Sequence, residues 1–165
     1  MILGSVLAIS GGVALLVVVF VDLVWTTLGV SHGAGPLTSV VLRAGWRAGV
    51  PLRRRKAHGA VAVAGLVTVL ATLAVWVVML WAAWASMFLG AGDGIVDRTG
   101  TAAGAWDRIY FAGYSVFTLG NGEFQPEGPA WQMATVTAAL SGLTVISLAI
   151  AYLVLVTSAA AERLS

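Results

Sequence analysis

Cysteine is absent from this chain of 165 residues, and charged residues make up only 10% of it. Without cysteine the chain has neither a disulfide framework nor a thiolate metal site. Soluble domains carry roughly 25% charged residues, so the shortage of charge argues against a water-soluble fold. Hydrophobic residues make up 59% of the sequence, and the mean hydropathy is +0.95. A bilayer accepts such a composition, and we therefore expect an integral membrane protein.

Residue patterns that carry catalysis are missing as well. The sequence contains no recognisable Ser/His/Asp set, no phosphate-binding glycine loop leading to a lysine, and no paired carboxylates within an apolar run. His32 and His58 have no partners at metal-ligand spacing. We therefore expect no enzymatic activity, no resident cofactor or metal, and no nucleic-acid partner.

Three long apolar runs dominate what is present: 2–30, 59–90 and 131–161. Each exceeds the roughly 20 residues that a helix needs to cross a bilayer. A fourth run, 106–117, has only about half of that length, which favours a re-entrant helix sheltered by protein or by a water-filled cavity. The sequence thus predicts an all-α membrane protein with three transmembrane helices and one re-entrant helix.

The placement of charge predicts the orientation in the membrane. Six of the nine basic residues lie in the connection 31–58, which should therefore be cytoplasmic. They are Arg43, Arg47, Arg53, Arg54, Arg55 and Lys56. The N-terminus is then outside and the C-terminus cytoplasmic. The segment between the second and third runs is also outside. It contains five of the chain's seven acidic residues, which would attract cations.

The basic connection has two open interpretations. Within 37–48, Leu37, Val40, Val41 and Ala44 recur at helical spacing, whereas Arg43 lies off that face. This pattern is typical of an amphipathic helix on the inner leaflet, with its basic groups near anionic lipid. The alternative is an ordinary basic loop that only sets the topology.

The segment 118–123 follows the short apolar run and alternates glycine with other residues. Glycine permits backbone conformations that other residues avoid, and the alternation lets successive carbonyls point in the same direction. Four such strands around an axis would form stacked rings of oxygen that replace the water shell of a cation. The short helix would aim the negative end of its dipole toward the same axis. The alternative is a glycine-rich turn that conducts nothing.

This region resembles the selectivity filter of potassium channels and of their bacterial relatives with a two-helix pore unit. Their filter reads Thr-Val-Gly-Tyr-Gly-Asp, followed by two residues and proline. Here the sequence is Thr118-Leu119-Gly120-Asn121-Gly122-Glu123-Phe124-Gln125-Pro126. Ser141-Gly142-Leu143-Thr144 is similar to the family's hinge region. The resemblance covers roughly 59–161 and leaves the first helix as an N-terminal addition.

The resemblance implies a division of the chain and a mode of assembly. An extra helix, 1–30, and the connection 31–58 precede a pore unit at 59–165. That unit would contain an outer helix at 59–90, a pore helix at 103–117, the filter at 118–123 and an inner helix at 129–161. One filter strand per chain implies a homotetramer in a bacterial cell membrane, with potassium as the permeant ion.

The resemblance also implies roles for individual residues. Permeant ions would bind to the backbone of Thr118, Leu119, Gly120, Asn121 and Gly122. The third helix would face an inner cavity with Thr144, Ser147 and Ala151, which recur at helical spacing. Gly142 has two open interpretations, a gating hinge or a close helix contact.

Several positions depart from the family's pattern. Asn121 stands where an aromatic residue packs behind the filter, and Glu123 replaces the family's aspartate. Tyr110 and Phe111 occupy the places of two tryptophans, so we expect the Tyr110 hydroxyl to bond Glu123. Tyr114 falls where some relatives have a glutamate behind the filter, and its hydroxyl would substitute for that group. These departures predict weak discrimination between potassium and sodium.

Two further features have competing interpretations. Asp22 interrupts the first apolar run, and we favour a place at the inner interface near the basic cluster over a functional intramembrane carboxylate. Trp76, Trp81 and Trp84 are more typical of interface anchors and helix packing than of a ligand cage. A second hypothesis for the whole chain is a non-conducting membrane subunit with a degenerate pore loop that assembles with other membrane proteins.

Overall fold

Within the residues that the structure describes, the fold consists of five α-helices and one short strand pair. The structure is a computed structural model that describes residues 2–28, 35–54 and 58–162. The elements in chain order are α1 (Ile2–Leu28), α2 (Pro36–Arg54), α3 (His58–Leu89), a 3-10 turn (Gly92–Gly94), β1 (Ile95–Asp97), α4 (Ala105–Val116), β2 (Phe124–Pro126) and α5 (Pro129–Glu162).

Three of these helices are long and apolar enough to cross a membrane, within the part of the chain that the structure describes. The candidate spans are Ile2–Thr27, Val63–Leu89 and Pro129–Val154, each of 26 or 27 residues. At about 1.5 Å per residue they exceed the hydrocarbon core of a bilayer, about 30 Å thick. Helix α4 has only 12 residues and cannot span it. The predicted fold, three transmembrane helices with a short additional helix, is confirmed.

The strand pair shows that α4 is re-entrant. Strand β1 precedes α4, β2 follows it, and the two pair antiparallel with Ile95 opposite Pro126 and Asp97 opposite Phe124. The N–H of Glu127 also donates to the Gly94 carbonyl at 2.8 Å. The segment that contains α4 therefore begins and ends at the same place, and residues 117–123 lead from the end of α4 back to the strand pair. No pattern in the sequence predicts these two short strands.

The chain divides into two compact units, Met1–Val17 with Val77–Ile146, and Val18–Trp76 with Ser147–Ser165. In the first unit an aromatic cluster packs α3 against α4. The rings of Phe88 and Phe111 meet edge to face with centroids 4.8 Å apart, and Phe111 meets Tyr114 at 5.1 Å. Burying large aromatic side chains in such pairs is a major source of stability.

Small residues bring α1 close to α3 in the first unit. A Cβ on Gly12 would collide with the Met87 side chain, and one on Gly90 would lie 2.8 Å from the Ser5 carbonyl. The Ser86 hydroxyl donates to the Ala8 carbonyl at 2.8 Å. Small residues and hydroxyl hydrogen bonds are typical of helix contacts in membranes, where apolar side chains gain little by leaving lipid.

A carboxylate organises the second unit. Asp22 of α1 is fully buried and accepts hydrogen bonds from the first turn of α2. The donors are the N–H of Leu37 at 2.6 Å, the N–H of Thr38 at 3.1 Å and the Thr38 hydroxyl at 2.6 Å. The Trp76 indole of α3 donates to the same carboxylate at 2.7 Å. Asp22 thus joins three helices.

The start of α2 is shaped to receive this carboxylate. Pro36 occupies the first helical position, where its missing N–H costs nothing. Gly35 precedes it without a side chain, because a Cβ there would lie 2.7 Å from the carboxyl carbon of Asp22. A helix N-terminus leaves N–H groups without partners and attracts negative charge. Asp22 therefore caps α2 from a different helix.

The expectations for this unit can now be compared with the structure. The basic connection contains a helix rather than an irregular loop, and α2 approaches α3 where a Cβ on Gly45 would collide with Thr68. Arg43 and Arg47 are exposed. The side chains of Arg53 and Arg54, and the whole of Arg55 and Lys56, lie outside the described residues. Asp22 is buried among hydrogen-bond donors of α2 and α3, and its place at the inner membrane interface stays a prediction.

The three tryptophans of α3 act in packing. Each indole N–H donates within its own unit: Trp76 to Asp22, Trp81 to the Ile109 carbonyl at 3.2 Å, and Trp84 to the Ser141 hydroxyl at 3.0 Å. Trp76 and Trp84 are almost completely buried. Their role in helix packing is confirmed, and their role as interface anchors stays a prediction.

We predict that Asp22→Asn lowers the free energy of unfolding by about 2 kcal/mol, since hydrogen bonds to a charged group are lost and an amide N–H₂ faces other donors. Hydrogen exchange at Leu37 and Thr38 should accelerate in the same variant. Unfolding in mixed detergent micelles and exchange mass spectrometry measure the two effects. Asp93→Asn, at an exposed position, is the control, and equal losses in both variants would contradict this account.

Candidate functional site

The end of helix α4 sets the conformation of the first residue of the predicted filter. The N–H of Leu119 donates to the Tyr114 carbonyl at 2.8 Å, and that of Thr118 to the Ser115 carbonyl at 3.2 Å. These two bonds form a Schellman motif, in which the residue after the C-cap adopts a left-handed conformation. That residue is Thr118, with φ of 55°. Glycine usually occupies this position because a β-branched residue there is strained.

The left-handed conformation recurs at every second residue. Gly120 has φ of 57° and Gly122 has φ of 68°, while Leu119 and Asn121 are not among the positive-φ residues. In an ordinary strand successive carbonyls alternate in direction, and reversing every second φ brings them toward the same side. A side chain at either glycine would be strained even though space is available at Gly120.

The side chain of Asn121 is bonded to helix α4. Its amide N–H₂ donates to the Tyr110 hydroxyl at 2.6 Å, and its amide oxygen accepts the N–H of Glu123 at 3.2 Å. The expectation that Tyr110 bonds Glu123 is wrong, because the Tyr110 hydroxyl instead accepts the hydrogen bond from the Asn121 amide. Glu123 itself is exposed. Position 121 thus carries an amide whose partner is a tyrosine on α4.

Tyr114 anchors the returning chain. Its hydroxyl donates to the Phe124 carbonyl at 2.7 Å, just past the glycine segment. Burial raises the pKa of Tyr114 to about 12, so the hydroxyl keeps its proton at any physiological pH. Phe111 is buried between Phe88 and Tyr114 and supports the ring of Tyr114. Residues 121 and 124 are thus tied to α4 by two tyrosines one helical turn apart.

A residue that the sequence analysis did not single out also binds this segment. Arg98 donates through Nε to the Gly122 carbonyl at 3.0 Å and through Nη2 to the Asn121 carbonyl at 3.4 Å. It lies in a tight turn after β1. No signal in the sequence pairs Arg98 with residues 24 positions away, because the pairing depends on the β1–β2 register.

Asp97 holds the turn that carries Arg98. Its carboxylate accepts the Thr99 hydroxyl at 2.7 Å and the N–H groups of Thr99 and Thr101 at 2.8 and 2.9 Å. The Thr99 hydroxyl bond, followed by the Thr101 backbone bond, lowers the pKa of Asp97 below its ordinary value of 3.8. Because ionisation favours the folded turn, this stabilisation is complete above pH 3.8 and is lost as the pH falls through the lowered pKa.

An open cavity of about 570 Å³ lies beside the end of the glycine segment. Its lining residues are Asp97, Arg98, Thr99, Asp107, Asn121, Glu123 and Phe124. Three carboxylates and one guanidinium therefore surround the last residues of the glycine segment. An acidic basin of this kind raises the local concentration of cations.

Gly142 makes a close contact with the end of α4. A Cβ on Gly142 would collide with the Val116 carbonyl, one of the carbonyls that the end of a helix leaves without a backbone partner. Neighbouring Ser141 accepts the Trp84 indole bond. Of the two interpretations, the structure shows the close contact, and the gating hinge stays a prediction.

The expected cavity residues lie on α5. The Thr144 hydroxyl donates to the Leu140 carbonyl at 2.8 Å within that helix. Ser147 and Ala151 are exposed. Their place on an inner cavity needs neighbouring subunits and stays a prediction, as does ion binding by the backbone of residues 118–122.

Fold and site define a multi-pass membrane protein with a re-entrant loop between its second and third spans. A family model described as ion channel, which covers two-span potassium-channel-like proteins, matches residues 67–159. This match covers more than half of the chain. The chain belongs to this ion channel family, and the resemblance seen in the sequence is confirmed.

A bacterial protein is similar over most of the chain. The uncharacterized membrane protein YdjJ of Bacillus subtilis (strain 168) is 32% identical over 162 residues. The match covers 95% of this chain and 46% of the relative, so the chain spans about half the length of that protein. No solved structure matches the chain.

We predict that Gly142→Ala destabilises the protein by about 1–3 kcal/mol, because a methyl group must displace the Val116 carbonyl. Gly4→Ala is the control, since a Cβ at Gly4 meets nothing within 4 Å. Alanine is the better helix former by about 1 kcal/mol, so the control should be neutral or stabilising. Unfolding in detergent micelles measures both, and a neutral Gly142→Ala variant would contradict the close contact.

Proposed function

We propose that this protein is a homotetrameric channel that passes potassium, with weak discrimination against sodium, through rings of backbone carbonyls. The observation that carries the proposal is the re-entrant helix α4 followed by left-handed residues at 118, 120 and 122. Such a backbone aligns carbonyls along one side of a strand, and four strands around an axis replace the hydration shell of a cation. Ion flow is passive, and the chain acts as a channel rather than an enzyme.

The exposure of the glycine segment supports assembly. Thr118, Leu119, Gly120 and Asn121 are all exposed in the single chain. Irregular backbone at membrane depth is tolerated only where protein covers it or where it lines water. A ring of four chains would meet both conditions, with one edge of the strand on a water-filled axis and the other against protein.

Helix α5 offers a surface for the same assembly. Met133, Val136, Leu140 and Leu143 are more than half exposed and recur at intervals of three and four residues. This is the spacing of one helix face that packs against another helix. Thr144, Ser147 and Ala151 would then face the inner cavity.

Weak selectivity follows from the support behind Asn121. In the family that the sequence resembles, a filter aromatic packs against the pore helix. Here a single hydrogen bond from the Asn121 amide to Tyr110 takes that place. An amide buries less apolar surface than an aromatic ring, so it holds the neighbouring strand, including the carbonyl of Gly120, less firmly. If selectivity depends on how rigidly the carbonyls are held, which is one contested view, sodium is poorly rejected.

Charge placement supports the orientation that we propose. With the basic helix α2 on the cytoplasmic side, the acidic cavity around Asp97, Asp107 and Glu123 faces outward, and the N-terminus is outside. The exposed side chains of Arg43 and Arg47 are then available to anionic lipid of the inner leaflet. The similarity to a bacterial membrane protein supports a bacterial cell membrane as the location.

The proposal is tested with purified protein in liposomes. We expect a tetramer in mild detergent, a measurable potassium flux down a gradient, and a sodium flux within about tenfold of it, which corresponds to about 1.4 kcal/mol of discrimination. Mass photometry or cross-linking gives the oligomeric state, and reversal potentials under mixed gradients give the permeability ratio.

Other outcomes are equally informative. A tetramer that passes no cation would favour the second hypothesis, a non-conducting subunit with a degenerate pore loop. A dimer or a monomer that conducts nothing would remove the basis for a ring of carbonyls. A strict preference for potassium would leave the channel intact and refute only the account of Asn121.

Orientation is tested by cysteine labelling, which is simplified by the natural absence of cysteine. We expect a cysteine in place of Asp93 to react with an impermeant thiol reagent added outside intact cells. A cysteine in place of Arg55 should react only after the cells are opened. Labelling of position 55 from outside would reverse the proposed topology.

A further inference from the structure

Arg98 binds the outer end of the segment that we propose as the filter. Its Nε lies 3.0 Å from the Gly122 carbonyl oxygen and its Nη2 lies 3.4 Å from the Asn121 carbonyl oxygen. Both acceptors are backbone oxygens of the kind that would otherwise coordinate a permeant ion. A cationic side chain of the same subunit therefore already occupies them.

The position of Arg98 is built into the fold. The Asp97 carboxylate accepts three hydrogen bonds from Thr99 and Thr101, which closes the turn around Arg98. Gly100 adopts φ of 83° in the same turn. Strand β1, which ends at Asp97, pairs with β2, which begins at Phe124, two residues after Gly122. The turn and the filter end are thus joined by backbone bonds as well as by the guanidinium.

A guanidinium and a permeant cation compete for the same oxygens. Arginine keeps its charge at any physiological pH and presents several donors in a fixed plane. A potassium ion beside it would meet like-charge repulsion and carbonyl oxygens that each already accept one hydrogen bond. Four copies of Arg98 would surround the mouth of a tetramer.

We propose that Arg98 determines conductance and ion occupancy at the outer end of the filter. Its guanidinium takes the carbonyls of Asn121 and Gly122, so permeant cations bind only to the carbonyls of Thr118, Leu119 and Gly120. The inference rests on the proposed channel function. Under this inference the two kinds of charge in the outer region have opposite effects. The carboxylates of Asp97, Asp107 and Glu123 attract cations, whereas Arg98 repels them at the entrance.

The test compares single-channel conductance in planar bilayers for the wild type, Arg98→Gln and Arg98→Lys. We expect Arg98→Gln to raise the conductance at least about twofold in dilute potassium chloride, where few cations reach the mouth, and less at high concentration, because salt screens the field. Arg98→Lys keeps the charge but loses the planar fork, so its conductance should fall between the other two.

Arg108→Gln is the matched control. It removes the same charge from the same segment, but Arg108 donates to the Leu89 carbonyl instead of to the filter. An increase equal to that of Arg98→Gln would show a general surface-charge effect and overturn the inference. Gel filtration verifies that each variant keeps the wild-type assembly. If Arg98→Gln fails to assemble, Arg98→Lys alone decides, and a conductance equal to that of the wild type overturns the inference.

Rubidium occupancy gives a second measurement. Anomalous scattering from crystals soaked in rubidium should show no ion between the carbonyls of Asn121 and Gly122 in the wild type and an additional ion there in Arg98→Gln. Identical occupancy in both proteins would refute the inference. If the wild type itself passes no cation, the proposed function fails and the inference falls with it. If the wild type conducts and Arg98→Gln changes neither conductance nor occupancy, only the inference fails.

Discussion

A backbone that enters a membrane and returns to the same side must satisfy its own polar groups, and the first unit of this protein is arranged around that requirement. Helix α4 satisfies its N–H and C=O groups internally over 12 residues. The returning chain makes no helical hydrogen bonds, so its polar groups need partners from other elements. The Schellman bonds of Thr118 and Leu119, the Tyr114 hydroxyl at the Phe124 carbonyl and the β1–β2 pair supply backbone partners in succession. Tyr110 accepts a further hydrogen bond from the Asn121 side chain. Each of these bonds joins a rigid element to the returning chain.

The support behind the glycine segment shows how one contact can be replaced by another of different chemistry. An aromatic residue on the filter would bury a large surface against α4. This chain instead places Tyr110 and Tyr114 on the helix, and their rings meet edge to face with centroids 5.4 Å apart. The two hydroxyls then reach the Asn121 amide and the Phe124 carbonyl. The returning chain is thus positioned by direction-dependent hydrogen bonds.

The second unit uses the same physical device at a helix N-terminus. The first turn of α2 exposes N–H groups that lipid cannot satisfy, and the buried carboxylate of Asp22 accepts two of them. The Thr38 hydroxyl and the Trp76 indole complete the set of donors. A buried carboxylate is costly unless fully hydrogen-bonded, and this one has donors from two other helices. Helix α2 is therefore held to α1 by specific hydrogen bonds to Asp22.

The amino-acid sequence by itself determined the membrane class, the number of spans, the short helix and the glycine alternation. These features follow from composition and from local backbone preference, which act between residues close together in the chain. The resemblance to the channel family placed the ends of α4 within a few residues, since the helix was expected at 103–117 and runs from Ala105 to Val116. Only the tertiary structure decided which side chains meet. The bonds between Asp22 and Trp76, between Asn121 and Tyr110 and between Arg98 and Gly122 join residues 54, 11 and 24 positions apart. Such pairs depend on strand register and helix packing, because a carboxylate, an amide or a guanidinium bonds to whichever partner those long-range constraints bring within hydrogen-bond distance.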